Sequence, residues 1–554
     1  MSKQQWWRDA VIYQIYPRSW ADADGDGMGD LPGITARLPH LADLGVDAVW
    51  LSPFYTSPQH DAGYDVADYR DIDPRFGTLA DYDAMVERAH ELGLRVVVDI
   101  VPNHSSRDHP WFQEALAAAP GSPERARYVF REGRGEHGDE APNNWLSNFG
   151  GPAWERVTEA DGSPGQWYLH LFDVTQPDFE WTNPEVADEM ESVLRFWLDR
   201  GADGFRIDVA HGLVKVEGLP DAPDGHEIAD AERTADFPMW DQAGVHDIYR
   251  RWRKVTDSYA KEGEDADRIL CAEAWVKPSE SLALYVREDE LHQSFNFSFL
   301  MSPWIAREMQ QVIDDSLRAV EEYAAPQTWV LSNHDVVRHA SRLGYDPVPG
   351  LLRMEGVGAD DPQPDAAVGL RRARAATTVM LALPGSAYLY QGEELGLPEA
   401  TQLPDDARED PTWEKSGHTS RGRDGCRVPI PWEGDAPAFG FGPSAESWLP
   451  QPPVYGDLAV DRQTGVEGST LELYRTLLRL RRELRPGRGE LTWLDLGEHA
   501  LAFEVSTESG APLRVIANVG GDPVPLPEGV QVLVASDELD PAVGVPKDCA
   551  VWVQ

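Results

Sequence analysis

The chain has 554 residues, 42% of them apolar, enough for a large catalytic-sized core beside a smaller accessory domain. Its 95 acidic residues against 49 basic ones give a formal net charge of −46, which excludes nucleic acid and anionic membranes as natural partners and favours a neutral or cationic substrate. No apolar run reaches the roughly 18 residues of a transmembrane helix, and Met1-Ser2-Lys3-Gln4-Gln5-Trp6-Trp7 lacks the apolar stretch of a signal peptide, so a soluble protein is expected.

Short apolar runs alternate with longer amphipathic stretches. Val11 to Pro17 is the first run, followed by an Asp- and Gly-rich stretch over 22–30. Ile34 to Leu44 has helical spacing and stops at Gly45; Ala48 to Pro53 is the second run. Leu79 to Leu92 is again helical, stops at Gly93, and leads into the third run, Arg95 to Val101. Residues 105–171 are rich in Gly, Pro and Trp without clean periodicity. That is too long for a structureless loop and predicts a small inserted domain over the barrel mouth. Met190 to Leu198 reads as helix, ending near Gly201, and Gly204 to Val209 is the fourth run. An acidic, Pro-containing stretch from Gly218 to Asp236 reads as a surface loop. The later runs are Ile269 to Trp275, Ser294 to Phe297, Trp329 to Asn333 and Ala387 to Gln391. Such runs suit parallel strands buried on both faces. Eight of them separated by helices predict an α/β fold, a (β/α)8 TIM barrel spanning 1–104 and 172–485. After 486 the pattern changes to short alternating runs, Leu501 to Val505 and Leu513 to Ala517. They predict a C-terminal antiparallel β-domain of sandwich type over 486–554.

Active sites of such barrels lie at the C-terminal ends of the strands, so polar residues closing apolar runs carry the information. The third run continues into Pro102-Asn103-His104. The fourth holds Arg206 and Asp208, two apart and therefore on one side of the strand. An arginine beside an aspartate favours the anion a nucleophile needs. Glu273 stands between Ala272 and Ala274, an apolar setting that raises a carboxyl pKa and suits a proton donor. The seventh run ends in Asn333-His334-Asp335. Carboxyl groups in opposed environments are what glycoside hydrolysis requires.

The segments Asp99-Ile-Val-Pro-Asn-His104, Gly204-Phe-Arg-Ile-Asp-Val-Ala-His211, Glu273-Ala-Trp275 and Asn333-His-Asp335 together resemble the α-amylase superfamily of glycoside hydrolases (family 13). The closest likeness is to its oligo-1,6-glucosidase and α-glucosidase branch. Gln176-Pro-Asp-Phe-Glu-Trp181 resembles a further motif of that branch. The resemblance implies Asp208 as nucleophile, Glu273 as general acid/base and Asp335 as transition-state stabiliser. It implies contacts to the glucosyl unit from His104, Arg206 and His334, and a non-reducing-end site from Asp61 and Tyr64. Arg427 would close the pocket with Asp61, and Phe149 and Phe172 would line its wall. The implied activity is that of a retaining exo-acting α-glucosidase on short oligosaccharides. The alternatives are a sucrose- or maltose-converting transglycosylase or isomerase, and a non-catalytic transporter subunit, which would lack the carboxylates. Val209 resembles the residue of α-1,6-acting relatives, whereas Ala210-His211 departs from their pattern, so linkage stays open.

Over 22–30, alternating aspartates offer hard oxygen ligands and Gly27 permits a sharp turn. An EF-hand is excluded, because its twelfth position would be Gly33 rather than Glu. By the same resemblance, Asp22, Asp24, Asp26, Asp30 and the Met28 carbonyl would bind a structural calcium ion, with no organic cofactor. No zinc-type His or Cys cluster is present. Cys271, Cys426 and Cys549 are odd in number and widely spaced, as expected of reduced thiols in the cytoplasm.

Overall fold

The computed structural model describes residues 5–223, 233–260, 267–348, 356–508 and 510–554. Residues 224–232 of the expected acidic insertion lie outside the described residues. Eight parallel strands close into one barrel, running round the ring in chain order. They are β1 (Val11–Ile15), β2 (Ala48–Leu51), β3 (Arg95–Ile100), β4 (Gly204–Ile207), β5 (Ile269–Ala272), β6 (Gln293–Asn296), β7 (Thr328–Val330) and β8 (Ser386–Tyr390). The expected (β/α)8 barrel is therefore the observed core.

Alternation within each strand separates two apolar layers. Val96, Val98 and Ile100 of β3 join the layer beneath the helices, while Val97 packs inside with Ile12, Trp50, Cys271, Phe295 and Tyr388. Gly204 is required where β4 meets β5: a Cβ there would lie 2.5 Å from Ile269 Cγ1.

The helices are set by local chemistry. In α1 (Leu31–Leu44) the Asp30 carboxylate accepts the Gly33 N–H, and Gly45 ends the helix in the left-handed conformation, φ 96°. Thr78 and Asp81 form a capping box for α2 (Leu79–Glu91). Asn183 caps α3 (Pro184–Asp199), which buries Val186, Met190, Val193, Leu194 and Trp197 at helical spacing.

Within 105–171, strands Phe130–Arg131, Trp154–Thr158 and Pro164–Leu169 form a three-stranded antiparallel sheet. Its small core, with Trp145, Trp154 and Leu171, continues into Val209, Leu219, Phe237 and Trp240 of the chain after β4. Trp145 Nε1 and Asn143 Nδ2 donate to the Pro220 and Leu219 carbonyls. The insert thus rests on the segment that carries Asp208. At the C-terminus, strands between Leu491 and Val553 form a five-stranded antiparallel sheet. Trp552 Nε1 anchors it by donating to the Thr378 carbonyl of helix Ala366–Met380. No described helix is long and apolar enough to cross a membrane.

Candidate active site

Strand register assembles the first cluster. Parallel pairing sets Asp99 of β3 opposite Arg206 of β4, and Arg206 opposite Cys271 of β5. Arg206 Nη1 donates to Asp208 Oδ1 at 2.6 Å and to both Asp99 oxygens at 3.0 and 3.1 Å. Its Nη2 is 3.8 Å from Glu273 Oε2. One buried guanidinium, packed over the Trp50 ring, thus faces three carboxyl groups.

That count changes the expected electrostatics. Burial raises the Asp208 carboxyl well above the ordinary range, with Arg206 pulling the other way and Glu273 and Asp99 adding repulsion. Burial likewise raises Glu273, again against Arg206, and pushes Asp99 up to about 7. Arg206 pairs with Asp208 and pulls its pKa down as expected, but burial and the two neighbouring carboxyls outweigh that pull. One cation cannot neutralise three desolvated acids, so the cluster holds protons more tightly than isolated carboxyls do.

Val209, directly after Asp208, has φ 45°. For a β-branched residue that backbone is strained, at a typical cost of about 1–3 kcal/mol. The strain aims the Val209 N–H at Glu273 Oε2, 2.7 Å away. The Ala210 N–H donates to the Glu273 carbonyl at 2.9 Å. The ends of β4 and β5 are therefore laced together.

Asp335 forms the opposite wall. It is contacted by His334 Nε2 at 3.3 Å and by Arg423 Nη1 and Arg427 Nη2 at 3.1 Å each. Burial opposes its ionisation, but His334 first, then Arg423 and Arg427, outweigh it and hold the carboxyl below its usual range. Burial lowers the His334 ring in turn, with Asp335 pulling it the other way. Its Nδ1 lies 2.7 Å from Gln14 Nε2 and its Nε2 lies 2.6 Å from the Tyr64 hydroxyl. The Tyr64 ring runs parallel to it at 3°, and the Tyr64 hydroxyl also reaches Asp99 at 3.2 Å. Asp335 thus keeps its charge beside His334 and two arginines.

Asp61 is 3% exposed and bonds Arg423, whose Nη2 donates at 2.7 Å. Arg423 also donates to Asp410 at 2.5 Å. Arg427 instead lies beneath, donating to the His334 carbonyl at 2.8 Å. The pair expected between Asp61 and Arg427 is formed by Arg423. Burial raises Asp61 to about 6, against the pull of Arg423 and Arg427. His104, neutralised by burial with its pKa lowered to about 4, approaches the Tyr64 carbonyl and Gln176 at 3.2 Å each. Gln176 Nε2 also donates to Asp61 at 3.1 Å. Phe172 packs on His104, and Phe149 packs on Phe172 and beneath the Arg423 guanidinium, 5.3 Å away.

The fold thus gathers Asp208, Glu273, Asp335, Asp61, Tyr64, His104, Arg206, His334, Arg427, Phe149 and Phe172 through shared contacts. Asp99, Arg423, Asp410 and Gln176 were not singled out from the sequence. Asp99 and Gln176 head motifs that were read, and three arginines within Arg421 to Arg427 signalled Arg423.

The aspartate loop is a separate feature. Carboxylate oxygens of Asp22, Asp24 and Asp30 lie within 4.8 Å of one another. This oxygen-only group fits a hard cation. Asp22 already accepts the Gly25 and Gly27 N–H groups, at 2.6 and 2.9 Å, which fixes the loop. Asp26 stands outside the group and accepts the Met28 N–H. The Met28 sulfur lies against Arg18 Nε, leaving its carbonyl as the oxygen this residue can offer.

A family model described as alpha amylase, catalytic domain, matches residues 14–486. The chain is 35% identical over 512 residues to an oligo-1,6-glucosidase of Parageobacillus thermoglucosidasius, covering 86% of this chain and 84% of that one. A solved α-glucosyl transfer enzyme, XgtA, matches with TM-score 0.84 and 35% identity over 100% of both chains. The trehalulose synthase MutB of Pseudomonas mesoacidophila matches with TM-score 0.83 and 29% identity over 99% of each.

Proposed function

The chain belongs to the α-amylase family, as a retaining glycosidase or transglycosylase of α-glucosides, and from that premise we propose that it transfers single terminal glucosyl units from short α-glucosides to sugar hydroxyls, and also to water. The carrying observation is the ion pair between Asp61 and Arg423, continued to Asp335 and Asp410. With a glucosyl ring seated against Tyr64 and Asp335, this network would stand across the path of a longer chain, which supports exo action on one terminal ring.

In this mechanism the ionised Asp208, the form that Arg206 pairs with, attacks the anomeric carbon while Glu273, which carries the cluster's proton, gives it to the departing glycosidic oxygen. The bond to that oxygen breaks and a covalent glucosyl ester of Asp208 forms. Glu273 then removes a proton from the acceptor hydroxyl, whose oxygen displaces Asp208, so configuration is retained. Retention needs the two carboxyls roughly 5–5.5 Å apart, and a single guanidinium reaching both supports that arrangement. Asp335, held anionic, would grip ring hydroxyls as positive charge develops, with Tyr64, His104, His334, Arg206 and Arg427 around the ring and Phe149 and Phe172 along the wall. The loop aspartates Asp22, Asp24 and Asp30, with the Met28 carbonyl, would hold structural calcium.

Transfer is supported by the likeness to the α-glucosyl transfer enzyme and to the trehalulose synthase, the latter solved with sucrose as substrate. Hydrolysis of the same intermediate is the second reading, supported by the oligo-1,6-glucosidase relative. Chromatography of products from concentrated sucrose, maltose, isomaltose and trehalose separates them. Transfer predicts new disaccharides or longer sugars ahead of free glucose; glucose alone at every concentration would reject it. Asp208→Asn should lower kcat by at least about a thousandfold with folding intact, and retained turnover would remove Asp208 from its role.

A further inference from the structure

Next to the aspartate loop lies an open groove of about 700 Å³ that contains none of the carboxyl groups of the active site. Trp448 and Phe439 give it aromatic surface; Asp26, Glu446, Arg75 and Gln451 give it polar edges. The groove is built rather than incidental. The Trp448 main-chain N–H donates to the Gly27 carbonyl at 2.9 Å, and its indole N–H to Ser19 Oγ at 2.9 Å. The Arg18 guanidinium lies over the same indole at 4.1 Å. Trp448 is therefore fixed before any ligand arrives, which removes the ordering cost of binding. Beside it, Ala438 and Phe439 both hold left-handed backbone, φ 45° and 48°, a strained pair that sets the Phe439 ring on the groove.

We propose that this groove is a second, non-catalytic binding site for a neutral α-glucoside oligosaccharide. The argument is chemical. Fixed aromatic faces suit the apolar C–H faces of pyranose rings. The amide of Gln451, two carboxylates and a guanidinium supply planar donors and acceptors for vicinal hydroxyls. One cation against two anions gives the lining no positive excess, which disfavours phosphorylated or acidic sugars. Arg75 can take part, because its one ion pair among the described residues, with Asp73 at 3.7 Å, is loose. Trp448 also packs on Tyr16, whose ring stacks on His334, so an occupant would press on a wall of the active site.

The test is saturation-transfer NMR on the intact protein carrying Asp208→Asn, with maltotriose as probe. A saturating iminosugar fills the glucose pocket, and inhibition of aryl α-glucoside turnover in the wild-type protein verifies that step separately. The proposal expects the maltotriose signal to persist under iminosugar and to fall at least fivefold when Arg75→Ala and Glu446→Ala are added. Both side chains are exposed, and aryl α-glucoside kcat/KM should be unchanged by the pair. If those variants leave the signal intact, Phe439→Ala must still abolish it. A signal eliminated by iminosugar alone, or one surviving all three substitutions, overturns the second site.

Discussion

At the scale of single residues, the active site is governed by an imbalance of charge. Arg206 answers three carboxyl groups, whereas Arg423 and Arg427 converge on Asp335. The two sides of one pocket therefore differ in proton affinity. Glu273 is raised by burial, so it keeps a transferable proton to higher pH than an ordinary carboxyl. The sign follows: the protonated acid is present below its raised pKa and lost as pH climbs through it. The alkaline limb of kcat/KM should lie above the ordinary carboxyl range of about 4.3. Glu273→Gln should flatten that limb for aryl glucosides, whose leaving groups need no proton, while disaccharide turnover disappears. An unchanged limb in Glu273→Gln would assign the ionisation elsewhere. The carboxylates themselves were legible in the sequence, because each closes an apolar run. The sharing of Arg206 was not. It depends on register across β3, β4 and β5, and Asp99 reads as one more strand residue until the barrel closes.

At the scale of elements, periodicity and stop signals told most of the story. Gly45 and Gly93 mark where helices yield to strands, and each buried run became a barrel strand. Contacts between distant segments stayed invisible. Arg423 meets Asp61 across 362 positions and Asp335 across 88, distances at which spacing carries no signal. The same holds for the short helix Pro411–Lys415. Its Lys415 pairs with Asp173 and lies 5.8 Å above the Phe149 ring, strapping this segment to the insert. Lys415 is about a quarter exposed and Asp173 is buried, so removing the ammonium leaves a desolvated carboxylate without its cation. Lys415→Met should therefore lower Tm by a few degrees and also raise KM several-fold, because Phe149 loses a cationic neighbour. A large fall in Tm with KM constant would make the contact structural only.

At the scale of the whole molecule, 95 acidic residues against 49 basic ones mean self-repulsion in the compact state. Screening should relieve it. Tm should rise as NaCl goes from about 0.01 M, where fields reach about 30 Å, to about 1 M, where they reach about 3 Å. The aspartate loop offers a sharper control. If Asp22, Asp24 and Asp30 hold a cation, a chelator lowers Tm, calcium restores it, and Asp22→Ala makes the protein indifferent to both. Equal melting with and without chelator in the unaltered protein would remove the ion from the account. Composition revealed the charge and the sequence pattern revealed the loop. Only the folded chain shows that this loop props one edge of an aromatic groove.

The proposed closure by Asp61 and Arg423 would also set the traffic of the reaction. With one end of the pocket shut in this way, the departing sugar and the incoming acceptor would share a single doorway. An acceptor cannot enter until the first sugar has moved, and a sugar that lingers is the nearest nucleophile when the glucosyl ester opens. How long the leaving group loiters, rather than how strongly glucose is gripped, then decides between recombination with itself and exchange with the surrounding solution.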